Sequence, residues 1–445
     1  MTATLVPRLA PPVAPVRRRR ANSHSSAAWP VLALFAGYPL WWALGLQAFI
    51  WPLAAVPMAL VLLRRRSISV PRGAGFLLLF LIWMMLSATQ LESARQLGAF
   101  AYRASLYFSA AILLLFLVNL PARVVDVRRF AQAATWMWVA SIVGAYVGLL
   151  LPGAEFATPL ELVLPQAISQ QPFINSLVHN ELSSTTTLLG YTLVRPQAPF
   201  NYTNGWGANV ALLTPLAIYS LHVVRKRWWR VMVLVLLVAS VLPIIVSINR
   251  GLWLSLVVAG AYMGVRAAGR GRIRLLLGVL LAAGATVFLI ALTPLSTIVT
   301  DRAEAANLDG RTHLYSAAFD AALNAPVLGY GAPLPSDNLV LTAGASVGTH
   351  GQLWTLLVSQ GFVGLLLFVG FLVATLLYTR RVSRHALWAH TVLVVALFQL
   401  PFYNSLPVQL HVVALAAAFC WWDIRSRRQA AASARPGTSE GHLTP

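Results

Sequence analysis

The sequence predicts an all-α integral membrane protein with about twelve transmembrane helices and two long outer loops. Three observations carry that class. The 445-residue chain is 58% hydrophobic and only 10% charged, with a mean hydropathy of +0.71, and a soluble protein of this length has no interior large enough to hide so much apolar surface. The apolar residues fall in runs of roughly 17–25, long enough to cross the hydrocarbon core as helices that satisfy their own backbone hydrogen bonds there. The basic residues recur in every second loop, and the short alternating segments of a membrane barrel are absent.

The elements follow in order. Residues 1–26 form a Pro- and Arg-rich tail with the composition of a disordered segment. It is not a cleavable signal, because the first apolar run leads into a polytopic bundle. The membrane domain spans 27–424. Its apolar runs lie at 28–46, 47–63, 73–91, 99–120, 132–152, 206–224, 229–247, 251–267, 275–296, 351–378, 386–403 and 407–423. Residues 425–445 close the chain as a second disordered tail. Of the 33 basic residues, 27 lie in the two tails or in the loops after the second, fourth, sixth, eighth and tenth runs. The excess of Lys and Arg on the cytoplasmic side of membrane proteins therefore puts both termini in the cytoplasm. The net charge of +21 reads as anchoring to anionic lipid. It does not read as nucleic-acid binding, which needs basic and aromatic residues on one folded surface. Cys420 is the only cysteine, so no intramolecular disulfide and no thiolate metal site is expected.

The other loops hold six arginines, Arg95, Arg103, Arg195, Arg250, Arg302 and Arg311. Two of these outer loops are long, about 153–205 and 297–350, and long loops in compact proteins are usually functional. The second contains a helical pattern from Arg311 to Asn324, with Leu314, Ala317, Ala318, Ala321 and Ala322 on one side. It is expected to lie flat at the interface with that stripe towards lipid. Pro326 and the turn Gly329-Tyr330-Gly331 follow. The tenth apolar run then opens at Thr349-His350, with Ser346 or Thr349 as N-cap.

The chemistry-bearing residues sit at these outer ends. His350, in the first turn of a long helix, is held neutral by the positive helix end and is placed to take a proton from a hydroxyl. The same helix end is expected to offer N–H groups to an anion. The alternative is an interfacial histidine without a task. Arg195, Arg250 and Arg311 each suit bidentate phosphate binding, or else reach to lipid headgroups, as Arg95, Arg103 and Arg302 are assigned to do. Asp337 can orient His350. Glu161 and Glu181 read as solvated loop residues, and nothing specific argues for His179. No Asp-x-Asp pair and no metal-ligand spacing occurs, so neither a metal nor another cofactor is expected.

Three segments together resemble the O-antigen ligase and polymerase family of bacterial envelope proteins. The first is Arg195-Pro196-Gln197-Ala198-Pro199-Phe200-Asn201-Tyr202-Thr203-Asn204, similar to that family's arginine followed by an Asn-rich turn. The second is Ser247-Ile248-Asn249-Arg250-Gly251-Leu252-Trp253-Leu254. The third runs from Arg311 through Pro326 and Gly329-Tyr330-Gly331 to His350-Gly351-Gln352-Leu353, then Gly361 and Gly364. The ordered set covers roughly residues 190–370. Gly351 stands where the family often has Asn after the histidine.

The resemblance implies a GT-C-like, metal-independent glycosyltransferase of the bacterial inner membrane with its site facing the periplasm. The donor it implies is a glycan on undecaprenyl diphosphate, and the acceptor is lipid A–core or another glycan. Arg195, Arg250 and Arg311 would hold the diphosphate and His350 would deprotonate the acceptor. Asn201, Asn204, Asp337 and Tyr330 would support them. Besides this ligase reading, a repeat-unit polymerase needs the same donor site. A lipid-linked glycan transporter would instead show polar residues and broken helices near the bilayer midplane.

Overall fold

The structure is a computed structural model that describes residues 28–122, 124–188, 191–269, 271, 273, 277–278, 310–334, 347–348 and 350–433. Eleven of the twelve apolar runs fold as helix. The twelfth, 275–296, lies almost wholly outside the described residues. The first run is broken at Gly37 into α1 (Trp29–Ala36) and α2 (Tyr38–Ala43). Then come α3 (Ile50–Leu63), α4 (Ala74–Ser87), α5 (Ala94–Val118) and α6 (Val127–Leu150). Ser93 and Asp126 cap α5 and α6 by accepting from the N–H groups of Gln96 and Arg128.

The structure is mostly helical, and the first long loop adds two short two-stranded sheets to it. Strand β1 (Glu155–Ala157) precedes three short helices, α7 (Pro159–Val163), α8 (Gln166–Ser169) and α9 (Pro172–Val178). β1 pairs antiparallel with β2 (His179–Glu181), and β3 (Ser183–Leu188) pairs antiparallel with β4 (Tyr191–Pro196). Thr-rich and β-branched sequence favours this pairing. The register sets Arg195 opposite Ser184. Asn180 ties the unit to the bundle, donating to the Trp42 carbonyl at 2.6 Å and accepting from Gln47 at 3.2 Å.

The bundle continues with α10 (Thr203–Val223), α11 (Arg227–Ala239), α12 (Val241–Val246) and α13 (Arg250–Ala268). It ends with α14 (Gly310–Asn324), α15 (Gln352–Thr379), α16 (Leu387–Gln399) and α17 (Gln409–Ser433). Among the described residues, five helical stretches are long and apolar enough to cross a membrane: Ala94–Val118, Val127–Leu150, Arg227–Val246, Arg250–Ala268 and Gln352–Thr379. Others are shorter but equally apolar, such as Ile50–Leu63 and Leu387–Gln399. At the centre, α17 is buried at every residue from Gln409 to Cys420. Its run of Ala414 to Ala418 lets α5 and α16 approach closely. By contrast, α11 exposes Val231, Leu234, Val235 and Val238, the pattern of a lipid-facing surface.

The basic loops meet at one end of the bundle. Arg65 donates to the Asn119 carbonyl, Arg266 to the Arg380 carbonyl and Arg427 to the Arg381 carbonyl. The strand unit and the starts of α10, α13 and α15 lie at the other end.

Two expectations about the second long loop change. The apolar stripe of α14 faces protein: Leu314 and Ala318 are buried against Val347 and Val358, and Tyr315 stacks on Trp354 with ring centroids 4.6 Å apart. The neighbouring α15 is also interrupted. Gly361 has φ 67° and ψ −173°, a conformation open to glycine but not to an L side chain, and the helix opens around it. The turn after α14 fills the opening. Tyr330 N–H donates to the Val358 carbonyl at 2.9 Å, Gly331 N–H to Ser359 at 2.8 Å, and Phe362 N–H to Pro326 at 2.9 Å. Trp83 Nε1 binds the Gln360 carbonyl at 3.1 Å. Irregular backbone at this depth is tolerated because protein groups satisfy it. The Gly329-Tyr330-Gly331 motif and Gly361 are thus two halves of one joint.

Candidate active site

Arg195 leaves β4 half-buried, and its Nε donates to the Ser247 carbonyl at 3.0 Å. That bond spans two of the three sequence segments singled out above. The turn it reaches is strained: Ile248 has φ 45°, an outlier for a β-branched residue costing about 1–3 kcal/mol, and such strain concentrates at functional sites. Asn249 follows as the N-cap of α13, its Oδ1 accepting from Leu252 N–H at 3.2 Å, while its Nδ2 donates to the Thr203 carbonyl at 3.2 Å. Arg250 is the first residue of α13.

The third segment joins the same network through Tyr403, in the link between α16 and α17. Its hydroxyl donates to Asn249 Oδ1, and its carbonyl accepts from Gln352 N–H at 2.8 Å. Gln352 Nε2 donates to the Tyr107 hydroxyl at 2.5 Å, and its Oε1 accepts from Ser405 N–H at 2.9 Å. His350 lies two residues before Gln352 and is half-buried.

The start of α15 corrects two expectations. The helix begins at Gln352 with Gly351 as N-cap, so His350 stands just outside it and not in its first turn. Ser346 and Thr349 lie outside the described residues. The N–H groups of Gln352 and Leu353 already donate to the carbonyls of Tyr403 and Leu400, so they are not open to an anion. Gly351 is explained by the same packing. It has φ 129°, and a Cβ there would run into the Pro401 carbonyl; no Asn fits without moving that link.

A cavity of about 350 Å³ adjoins Arg195. Asn201, Asn204, Tyr202, Glu181 and Gln197 also line it. Asn201 Nδ2 donates to the Ser176 carbonyl, and Gln197 Nε2 to Glu181 Oε2 at 2.9 Å. Beside it, His179 Nδ1 lies 3.0 Å from Glu161 Oε2 and its Nε2 lies 3.6 Å from Glu155. Glu161, Glu181 and His179 are therefore parts of a polar cluster and not isolated loop residues. Among the described residues, no group of three or more His, Cys, Asp or Glu is placed to hold a metal ion.

The structure thus gathers Arg195, Asn201 and Asn204 on one cavity, and ties Arg195 to the starts of α13 and α15, where Arg250 and His350 sit. Tyr330 is not in this group; it packs with Leu314 and Val358 and serves the joint at Gly361. Arg311 lies in the first turn of α14, and its side chain, like all of Asp337, is outside the described residues. Tyr403 and Tyr107 were missed from sequence. The only signal was a polar turn, Tyr403-Asn404-Ser405, between the last two apolar runs.

Fold and site together define a helical membrane protein with a polar, arginine-bearing cavity at the end opposite its basic loops. Residues 240–369 match the family model described as O-antigen ligase. The match supports membership of the O-antigen ligase family and a ligase- or polymerase-type glycan transfer in a membrane. It contains Arg250, Arg311 and His350, while Arg195 lies before it. No curated protein matches the chain.

Proposed function

We propose that the protein is a membrane glycosyltransferase of the O-antigen ligase type. It moves a glycan from undecaprenyl diphosphate to an acceptor hydroxyl, of lipid A–core, at the outer face of the inner membrane. The observation that carries this reading is the hydrogen-bonded path Arg195–Ser247–Asn249–Tyr403–Gln352. It holds three segments, distant in sequence, at one end of the bundle, with Arg250 next in sequence to Asn249 and His350 two residues before Gln352.

In the proposed reaction the acceptor oxygen attacks the anomeric carbon as the bond to the diphosphate oxygen breaks. His350 takes the hydroxyl proton, and Arg195, Arg250 and Arg311 hold the charge developing on the leaving diphosphate, where fixed cations act most strongly. The cavity walls of Asn, Gln, Tyr and Glu offer the donors and acceptors that sugar hydroxyls need. A transporter was expected to show broken helices. The break in α15 is closed by backbone of the same chain, so it leaves no polar passage of its own.

The test is reconstitution in lipid with an undecaprenyl-diphosphate-linked repeat unit and lipid A–core. His350→Ala is expected to lower transfer by about 10²–10⁴-fold with normal expression, and transfer at the parent rate would end the role given to His350. Formation of longer lipid-linked chains in place of glycosylated lipid A–core would make the enzyme a repeat-unit polymerase.

A further inference from the structure

Arg103 is expected, like Arg95 and Arg302, to reach lipid headgroups, but one of its terminal nitrogens is sealed from the surface. It lies well inside α5, its Nη1 is buried, and this nitrogen has no hydrogen-bond partner among the described residues. Nor does any described carboxylate come within 4.0 Å of its guanidinium. In α5 it is flanked by phenols, Tyr102 next to it and Tyr107 one turn on. Tyr107 is bonded to Gln352 at the start of α15. Tyr102 packs edge-on against Phe173 of α9, ring centroids 5.8 Å apart, and the same helix brings Asn175 and Ser176 to the wall of the Arg195 cavity. Arg103 is thus carried on the stretch of α5 whose tyrosines touch α9 on one side and the start of α15 on the other.

A guanidinium does not lose its proton in a protein, and neutral phenols do not balance its charge. A buried guanidinium nitrogen with no partner among the described residues is costly. Arg95, two helical turns earlier and exposed, bears no such cost.

We propose that Arg103 is a substrate-binding residue whose guanidinium takes a phosphoryl oxyanion of a polyprenyl-diphosphate-linked substrate. This rests on the transferase reading above and adds to it a cation on α5. Tyr102 and Tyr107 act as positioning residues that keep the guanidinium from turning out to lipid.

The test uses the full chain in detergent micelles with undecaprenyl diphosphate, carrying no glycan, as the probe. Phosphatidylglycerol serves as a second probe, for a headgroup phosphate. Arg103→Met is expected to weaken undecaprenyl diphosphate binding by about tenfold or more, the loss of one charge-assisted contact. Arg103→Lys, which keeps the charge without the planar fork, falls between it and the parent, and Arg95→Met binds as the parent does. Without probe, Arg103→Met melts at or above the parent, because an uncompensated charge has gone; a merely structural arginine would not behave so.

Unchanged binding in Arg103→Met overturns the proposal. So does a lower melting temperature without probe that Arg103→Lys restores, since the partner would then be inside the chain. Equally tight, Arg103-dependent binding of phosphatidylglycerol also overturns it, in favour of a headgroup site. Arg195→Met separates the two ideas. If it loses the probe while Arg103→Met keeps it, only this inference falls; if both keep it, the transferase reading falls as well.

Discussion

Tyr403 joins segments that lie 154 residues apart, donating to the Asn249 side chain while its carbonyl receives the first N–H of α15. Its hydroxyl fixes the turn that carries Arg250, so its removal acts on geometry more than on stability. Tyr403→Phe is expected to cost about 1 kcal/mol of stability and to lower transfer about tenfold, read by thermal melting and by the reconstituted assay. Transfer at the parent level would leave Tyr403 a structural residue only. At this scale the sequence disclosed residue types whose chemistry is unusual for their position, such as an arginine on the scarce side or a histidine at a helix start. It did not disclose Tyr403, since a tyrosine near a helix end is ordinary, and its partner is visible only once two remote turns meet. The burial of Arg103 Nη1 was hidden for the same reason. An outer arginine snorkels unless neighbouring helices enclose it, and enclosure is a property of packing.

Among the elements, α15 and α14 work as a pair. The carbonyls released around Gly361 are taken by the turn after α14, and that turn is anchored by the buried stripe of Leu314 and Ala318. Gly361→Ala places a side chain at φ 67° and against the Val327 carbonyl, and is expected to cost about 2 kcal/mol or more. Leu314→Ala should cost about 2–4 kcal/mol by releasing α14 from α15. Both are read as lowered melting temperatures in detergent, and a Gly361→Ala protein as stable as the parent would mean that the joint is not needed. The apolar stripe of α14 was legible in the sequence, but its partner was not. Hydrocarbon and a leucine-lined helix are equally apolar, so periodicity marks a face to be covered without saying by what.

For the whole molecule, the meeting of the basic loops at one end makes a sided prediction. Cys420 is fully buried, so the parent gives no background with a membrane-impermeant maleimide. Gln170→Cys, in the strand unit, should label in right-side-out vesicles. Ser67→Cys, among the basic residues after α3, should label only after permeabilisation. The reverse pattern would invert the molecule and place the Arg195 cavity in the cytoplasm.

The sequence by itself determined the class of protein, the apolar runs and the separation of basic loops from the polar end. These follow from composition and from charge counted along the chain, and a bilayer imposes them on each segment independently. It also marked three short segments by their residues. The tertiary structure alone decided that the first outer loop folds into strands and that α14 docks on protein. It also decided that α15 is broken and mended by another segment, and that Tyr403 joins the starts of α13 and α15. Each of these depends on which remote surfaces meet, and in an apolar solvent that choice is made by shape and by unsatisfied polar groups, neither of which a one-dimensional pattern records.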